Sequence, residues 1–411
     1  MNLAEELTAR GLIEHTSADI EKILGTKRTV YLGVDPSADS MQAGNLVVVL
    51  LMRRLSQAGN RIILLVGGGT GMIGDPRESG ERSLADKKIV EKNKKALKAQ
   101  MQRIVGAKVT LVDNADWLLK IKLVDFLRDI GKHFTINELI KRDIIKRRIE
   151  DPNDSISYTE FAYSLLQGYD YLELNSKYGA DLQIGASDQW TNILSGVELI
   201  RRKAGKEAFA VTCPLVTDAA GKKFGKSEGN AVWLDASKTS PFQFYQFWLN
   251  QPDAMVGKYL KFYTFMSVFE IDTMMELHKR NPGSREAQKM LAQLVTEIVH
   301  GPEAAARVIT ASAAVYGDTP LASLSPTDLA TIRAEVPSVR VQQDTSVVDA
   351  LVASELSKSK TEARKLIEGG GVSVNGVVVD SLDAVLRGEQ FPGGIALLRK
   401  GKQTALLTIE K

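Results

Sequence analysis

Uninterrupted runs of Val, Ile and Leu alternate with helix-length amphipathic stretches along the first part of the chain. TVYLGV (29–34), LVVVLLMRRLSQAG (46–59), RIILLV (61–66), a long charged helix and KVTLV (108–112) follow in that order. Apolar strands without polar alternation, separated by helices, predict a parallel sheet covered on both faces. Ligands of such sheets bind in the loops at the carboxyl ends of the strands. From about Trp117 to Asp154 the pattern turns helical and charged, and YTEFAYSLLQGYDYLEL (158–174) predicts a further helix with an apolar face. The sheet rhythm resumes after QIG, through a helix over 188–205 and the strand AFAVTCPLV (208–216).

Pro241 to about Tyr316 reads as helices, and 317–337 as a linker zone of Gly, Pro, Asp and Ser around one short helix. The tail reads as a small domain with a helix in SKSKTEARKLIEGGG and a hairpin in VSVNGVVV. Ser359 and Glu362 have capping-box spacing, Gly369 to Gly371 stop the helix, and Asn375-Gly376 is a hairpin turn.

The 411 residues exceed one ordinary domain of roughly 100–200 residues. A hydrophobic content of 44% with 25% charged residues is that of a globular protein, and disorder is excluded as the default. The start, MNLAEELTARGLIEHTS, predicts an amphipathic helix rather than a signal peptide, and no run reaches the roughly 20 apolar residues of a membrane span. A single cysteine, Cys213, excludes an internal disulfide framework and a thiolate zinc cluster, and its apolar surroundings predict core packing. A cytoplasmic location is the default expectation. With 53 basic and 50 acidic residues, phosphate or RNA binding must come from local clusters.

Two motifs point elsewhere. Gly69, Gly71 and Gly74 match G-x-G-x-x-G after a strand, the mark of a dinucleotide-binding dehydrogenase. That fingerprint must open a helix, and Asp75-Pro76 interrupts the chain at once. Gly225-Lys226-Ser227 resembles a relaxed P-loop, but Glu-Gly-Asn and then AVWLD follow where a helix should begin.

YLGVDPSADSMQAGN, VGGGTGMIGDP, YSLLQGYD, QIGASDQW and KFGKSEGNAVWLD, in this order and spacing, resemble the tyrosyl-tRNA synthetases, and KSKTEARKLIEGGGVSVNG is similar to an S4-type RNA-binding domain. The resemblance spans essentially the whole chain. It implies an α/β protein with a class I Rossmann-like parallel-sheet catalytic domain (1–225) carrying a helical dimerisation insertion (about 117–154). A KMSKS-loop continuation and helical domain (226–320), a linker (321–336) and an α+β S4-like RNA-binding domain (337–411) follow.

The implied reaction is attack of the tyrosine carboxylate on the α-phosphate of ATP, followed by transfer of tyrosine to the 3′ end of tRNA(Tyr). Magnesium (Mg2+) would accompany ATP, with no dedicated metal site on the protein. Positioning and stabilisation of phosphate charge should dominate such a step. By resemblance Lys223 and Lys226 hold the β- and γ-phosphates, Asp35 and Asp188 contact the adenosine part and Ser37 touches the leaving phosphates, while Gly33 and Gly44 in the loop after the first strand would allow close approach of the nucleotide to the backbone. Arg82 resembles a basic residue near pyrophosphate. Tyr31 and Asp170 would read the phenol hydroxyl, and Tyr163, Gln167 and Asp75 the α-ammonium group, with Thr70 and Gln189 nearby. Independently, Tyr163, Gln167 and Asp170 share one helical face by spacing.

The chain departs from the family at the HIGH motif, which here reads Gln42-Ala43-Gly44-Asn45. None of the histidines, His15, His133, His278 and His300, lies in that loop. A Gln amide is a neutral donor of comparable reach, and removing one such donor elsewhere lowers kcat by ~10²–10³. The expectation is a working enzyme with Gln42 and Asn45 in the catalytic set, against a weakened or silent paralogue that binds tyrosine or RNA for regulation. Lys358, Lys360, Arg364 and Lys365, joined by Arg399, Lys400 and Lys402, would form a basic RNA-binding edge. The family is also expected to be homodimeric, through the helical insertion near GKHFTIN.

Overall fold

The computed structural model describes all residues except 77–79, 81–85, 107, 222–223, 225–230, 318, 402 and 410–411, and residue 143 by its backbone only. The chain forms two compact units, one of Met1–Asp235 with Pro252–Ser284 and the other of Ala236–Gln251 with Arg285–Lys411.

In the first unit β1 (His15–Thr16), β2 (Thr29–Val34), β3 (Arg61–Val66), β4 (Val109–Asp113), β5 (Leu182–Ala186) and β6 (Phe209–Cys213) form one sheet in the order β1-β6-β5-β2-β3-β4. Every pairing is parallel except that of the short edge strand β1 with β6. The sheet carries apolar residues on both faces because both are covered. Tyr31, Ile63, Leu65 and Val112 pack with Tyr171, Leu174 and Ile200 of the Tyr158–Tyr178 and Trp190–Ala204 helices. Side chains alternate along a strand, so Val30, Leu32, Ile62 and Leu64 point the other way, and they too are buried. The Ala43–Gln57 helix, with ten buried residues, packs on β2, β3 and β5.

The order of the strands decides where a ligand can sit. From β2 the chain winds outward to β3 and β4, and β5 then takes its place on the other side of β2. The crevice beyond the carboxyl ends of β2 and β5 is therefore the topological switch point. Glycine-rich turns, Asp35 after β2 and Asp188 after β5 stand there.

In the second unit the Pro241–Leu249, Glu286–His300 and Pro302–Tyr316 helices pack together. The zone read as a linker contains the Pro326–Glu335 helix, capped by the Ser325 hydroxyl. A five-stranded sheet follows, β7 (Ser338–Val341), β8 (Val372–Val374), β9 (Val377–Val378), β10 (Ile395–Lys400) and β11 (Gln403–Ile409), in the order β7-β11-β10-β8-β9. It shares an apolar core with the Val347–Ala353 and Lys360–Glu368 helices, through Val348, Leu351, Ala363 and Ile367. β8 and β9 form the expected hairpin, with Asn375 (φ 50°) and Gly376 (φ 85°) both in the left-handed region that a two-residue turn requires. The Ser359 hydroxyl caps the following helix by accepting from Glu362 N–H. The reciprocal half of the predicted capping box differs: the Glu362 carboxylate accepts from Lys358 N–H instead.

No helix among the described residues is long and apolar enough to cross a membrane.

Candidate active site

The switch-point crevice is lined by one continuous hydrogen-bonded network. Asp170, 3% exposed, accepts from Trp117 Nε1 at 2.7 Å and from Asn114 Nδ2 at 2.9 Å. Asn114 Nδ2 also donates to Thr70 Oγ1 at 2.9 Å, while Asn114 Oδ1 accepts from Gly69 N–H at 2.7 Å. The Thr70 hydroxyl donates to Asp35 Oδ1 at 2.6 Å, and Tyr163 OH donates to Asp35 Oδ2 at 2.8 Å. Asp35, assigned by resemblance to the adenosine side, is thus bonded directly to two residues of the expected tyrosine set.

Tyr31 stands beside this network, its ring edge-on to Tyr171 at 4.9 Å, and its buried hydroxyl has no hydrogen-bond partner among the described residues. A buried hydroxyl left open is a place for a polar group of a ligand. Burial pushes the Asp170 carboxyl up to about 8 against the pull of Asn114 and Trp117, and raises the Tyr31 phenol, with neighbouring Tyr171 and Asp170 adding to it.

A second cluster forms around Asp75. Its Oδ2 accepts from Gln189 Nε2 at 2.8 Å and its Oδ1 from Asn192 Nδ2 at 3.1 Å. Burial lifts this carboxyl to about 6, with the hydrogen bond from Gln189 opposing and Asp35 adding to the rise. Gln167 is half-buried on the same helix as Tyr163 and Asp170.

The turn after β3 packs tightly against the first network through glycine. A Cβ on Gly67 would lie 2.1 Å from Asp35 Oδ1 and 2.3 Å from Thr70 Oγ1, and one on Gly68 2.3 Å from Asp113 Oδ1. The dinucleotide reading fails here as the sequence implies: Thr70–Met72 forms one 3-10 turn and opens no helix.

The altered HIGH motif starts the Ala43–Gln57 helix, with Gln42 at the N-cap. Gln42 N–H donates to Asn45 Oδ1 at 3.3 Å, and Gln42 bridges Trp233 in extended pairing. At Gly44 the space for a Cβ is taken by Phe224 O, 2.8 Å away, so the close approach there is to the protein's own backbone. Gly33, Ser37, Asn45 and Asp188 are exposed around the crevice. Arg82, Lys223, Lys226 and the relaxed P-loop match lie outside the described residues.

Sequence reasoning missed Asn114, Trp117 and Asn192. Asn114 and Trp117 follow β4 directly, and their position at the carboxyl end of a parallel strand was the available signal.

On the second unit, Lys358, Lys360, Arg364 and Lys365 are all exposed on one turn and helix, and Lys360 pairs with Asp349 at 2.6 Å. Arg399 and Lys400 do not join them as free cations. Arg399 Nη2 donates to Ala314, Val315 and Gly317 carbonyls at the end of the Pro302–Tyr316 helix, and Lys400 Nζ donates to Leu356 O at 2.8 Å and Glu362 at 3.2 Å. Orphan carbonyls at a helix end attract cations, which draws Arg399 inward. Lys402 lies outside the described residues.

Residues 25–317 match the family of class I tRNA synthetases (W and Y), and residues 328–408 match the tyrosine–tRNA ligase SYY-like C-terminal domain. Together with the parallel sheet and its switch-point crevice, this makes the protein a class I tRNA synthetase. A tyrosine–tRNA ligase of Chromobacterium violaceum is 44% identical over 98% of this chain and 97% of its own length. One of Leuconostoc mesenteroides is 43% identical over 99% of each. A C-terminally truncated mitochondrial tyrosyl-tRNA synthetase of Aspergillus nidulans has a similar structure, with a TM-score of 0.67 and 29% identity over 75% of this chain and 92% of that one. The chain belongs to the bacterial-type tyrosine–tRNA ligase family.

Proposed function

We propose that the protein activates L-tyrosine with ATP and transfers the tyrosyl group to the 3′ end of tRNA(Tyr). In the first step a carboxylate oxygen of tyrosine forms a bond to the α-phosphorus of ATP as the bond to the bridging oxygen breaks, and pyrophosphate leaves with that electron pair. A terminal ribose hydroxyl of the tRNA then attacks the tyrosyl carbonyl and AMP leaves. Mg2+ enters with the nucleotide as part of the substrate.

The observation that carries this reading is the buried Asp170 carboxyl, fixed by Trp117 and Asn114 beside the unpartnered Tyr31 hydroxyl. Such a site suits a phenol. Phenylalanine would leave those polar groups stranded, a discrimination for which this enzyme family is itself the standard illustration. Tyr163, Gln167 and Asp75, with Thr70 and Gln189 close by, serve the α-ammonium end. On the nucleotide side the reading assigns Gly33, Asp35, Gly44 and Asp188 to adenosine, Ser37, Gln42 and Asn45 to the phosphates, and Lys223, Lys226 and Arg82 to pyrophosphate.

Further parts of the proposal have their own support. The division into a catalytic part (1–225), a KMSKS continuation with helices (226–320), a linker (321–336) and an RNA-binding part (337–411) follows the motifs. Lys358, Lys360, Arg364 and Lys365 are exposed and suited to tRNA phosphates, and their binding would weaken with salt. A homodimer is supported by Leu119, Leu123, Val124 and Ile136 of the helical insertion, each about two-thirds or more exposed. The cytoplasm, where tRNA is charged, is the corresponding location.

Tyrosine-dependent ATP–pyrophosphate exchange tests the central claim, with phenylalanine and tryptophan as controls. Exchange with tyrosine alone is expected. A folded protein that binds tyrosine without exchange would leave the silent paralogue instead.

A further inference from the structure

Arg142 belongs to the helical insertion, where it is the N-cap residue of the Asp143–Glu150 helix, and it has no role in the assignment above. Its side chain leaves the insertion and enters the catalytic core. Nη2 donates to Ser195 Oγ at 2.5 Å and Nη1 to Asn192 Oδ1 at 3.4 Å. Asn192 in turn gives its Nδ2 to Asp75 Oδ1 at 3.1 Å and to Gln189 Oε1 at 3.3 Å. Ser195 Oγ is itself held by donating to Thr191 O at 3.0 Å.

A primary amide has two faces of opposite polarity, and a neighbour that only donates selects one of them. A guanidinium has no acceptor. Arg142 therefore requires the Asn192 oxygen on its own side, which leaves the amide nitrogen pointing at Asp75. We infer that Arg142 is a positioning residue for the amino-acid ammonium subsite, acting through Asn192 to hold Asp75 and Gln189 in the arrangement that receives the charge.

Charge acts in the same direction as geometry. Asp35 from the turn after β2 and Asp188 from the turn after β5 both disfavour ionisation of Asp75. Arg142 faces it as a cation, itself depressed to about 10 by burial while Asp75 and Glu138 pull the other way, so it stays charged at neutral pH. The inference rests on the reading of Asp75 as the ammonium ligand.

The test is ATP–pyrophosphate exchange by the full chain with Arg142→Met and Arg142→Lys. The methionine variant keeps the apolar stem and removes donors and charge. Its KM for tyrosine should rise about tenfold, with KM for ATP within about twofold. The acid limb of kcat/KM for tyrosine should also move to higher pH. The lysine variant keeps the charge without the planar fork, so KM for tyrosine rises several-fold while the acid limb stays near its original place. Unchanged KM and pH profile, or equal rises in KM for tyrosine and ATP, would overturn the inference and make Arg142 a packing group. Should the methionine variant not fold, the lysine variant decides: an unchanged KM for tyrosine overturns the claim. Loss of exchange in the unmodified chain would instead remove the functional reading itself and this inference with it.

Discussion

Trp117 Nε1 donates to Asp170 Oδ1 across 2.7 Å, joining the end of β4 to the middle of the Tyr158–Tyr178 helix. The indole gives a carboxyl that is 3% exposed one of its two donors. Trp117→Phe keeps most of the ring and removes the donor, which should cost about 1.5–3 kcal/mol of whatever binding uses that carboxyl. Tyrosine should then show a KM about 10- to 100-fold higher in pyrophosphate exchange, with little change for phenylalanine. An equal loss for both amino acids would mean that Trp117 merely packs.

The buried Asp170 carboxyl and the half-buried Asp75 carboxyl make binding and stability depend on pH in opposite senses. Their folded pKa values, about 6 for Asp75 and about 8 for Asp170, lie above the ordinary value of 3.8 because burial disfavours the charge. Each therefore stabilises the empty protein fully below about pH 4, and that contribution is lost as pH rises through 6 and then 8. Tyrosine, whose ammonium needs an ionised Asp75, should bind up to tenfold more weakly for each unit below about pH 6. The melting-temperature gain from added tyrosine should accordingly grow between pH 5 and pH 8. A gain that is the same at both ends would contradict this.

Arg148 and Glu160 form an ion pair at 2.7 Å with side chains 1% and 2% exposed, and Arg148 also reaches Asp154 and Ser155 O. Removing Arg148 takes the guanidinium away from a buried carboxylate, and removing Glu160 leaves the buried guanidinium facing Asp154 at 3.3 Å across a longer contact. Arg148→Met or Glu160→Leu alone should lose about 3–5 kcal/mol, whereas the double variant should recover most of that. Urea unfolding of the four proteins gives the coupling, and additive losses would show that the pair is solvated in solution.

Leu123 and Val124 are 71% and 72% exposed on the insertion. Leu123→Asp with Val124→Glu should convert a dimer to a monomer in light scattering, since two charges would be buried without partners at the shared face. Persistence of the dimer would place the interface elsewhere.

Much of the catalytic unit was legible because β2, β3 and their helices announce themselves locally: unbroken Val, Ile and Leu is the pattern of a strand covered on two sides. The helical face shared by Tyr163 and Asp170 was legible for the same reason, being set by spacing within one helix. Asn114, Trp117, Asn192 and Arg142 were not. Their partners lie far away along the chain, and only the folded sheet brings β4 beside the Tyr158–Tyr178 helix. Arg399 and Lys400 show the reverse error, since a run of basic letters gives no sign of which side chains turn inward to helix carbonyls. The half-formed box at Ser359 is a smaller case: Glu362 had two backbone donors within reach, and the sequence alone does not rank them.

Cys213 closes β6 with no exposed surface, and burial pushes its thiol up to about 12. As the chain's single cysteine it is a thiol that reagents cannot reach and that hardly ionises. The natural protein is thus already blank for maleimide chemistry. A cysteine placed on the surface next to the basic edge, such as Glu368→Cys at the exposed end of the Lys360–Glu368 helix, would take a dye at one defined position without removal of the native cysteine, and tRNA docking could be followed by fluorescence with every proposed phosphate-binding cation kept.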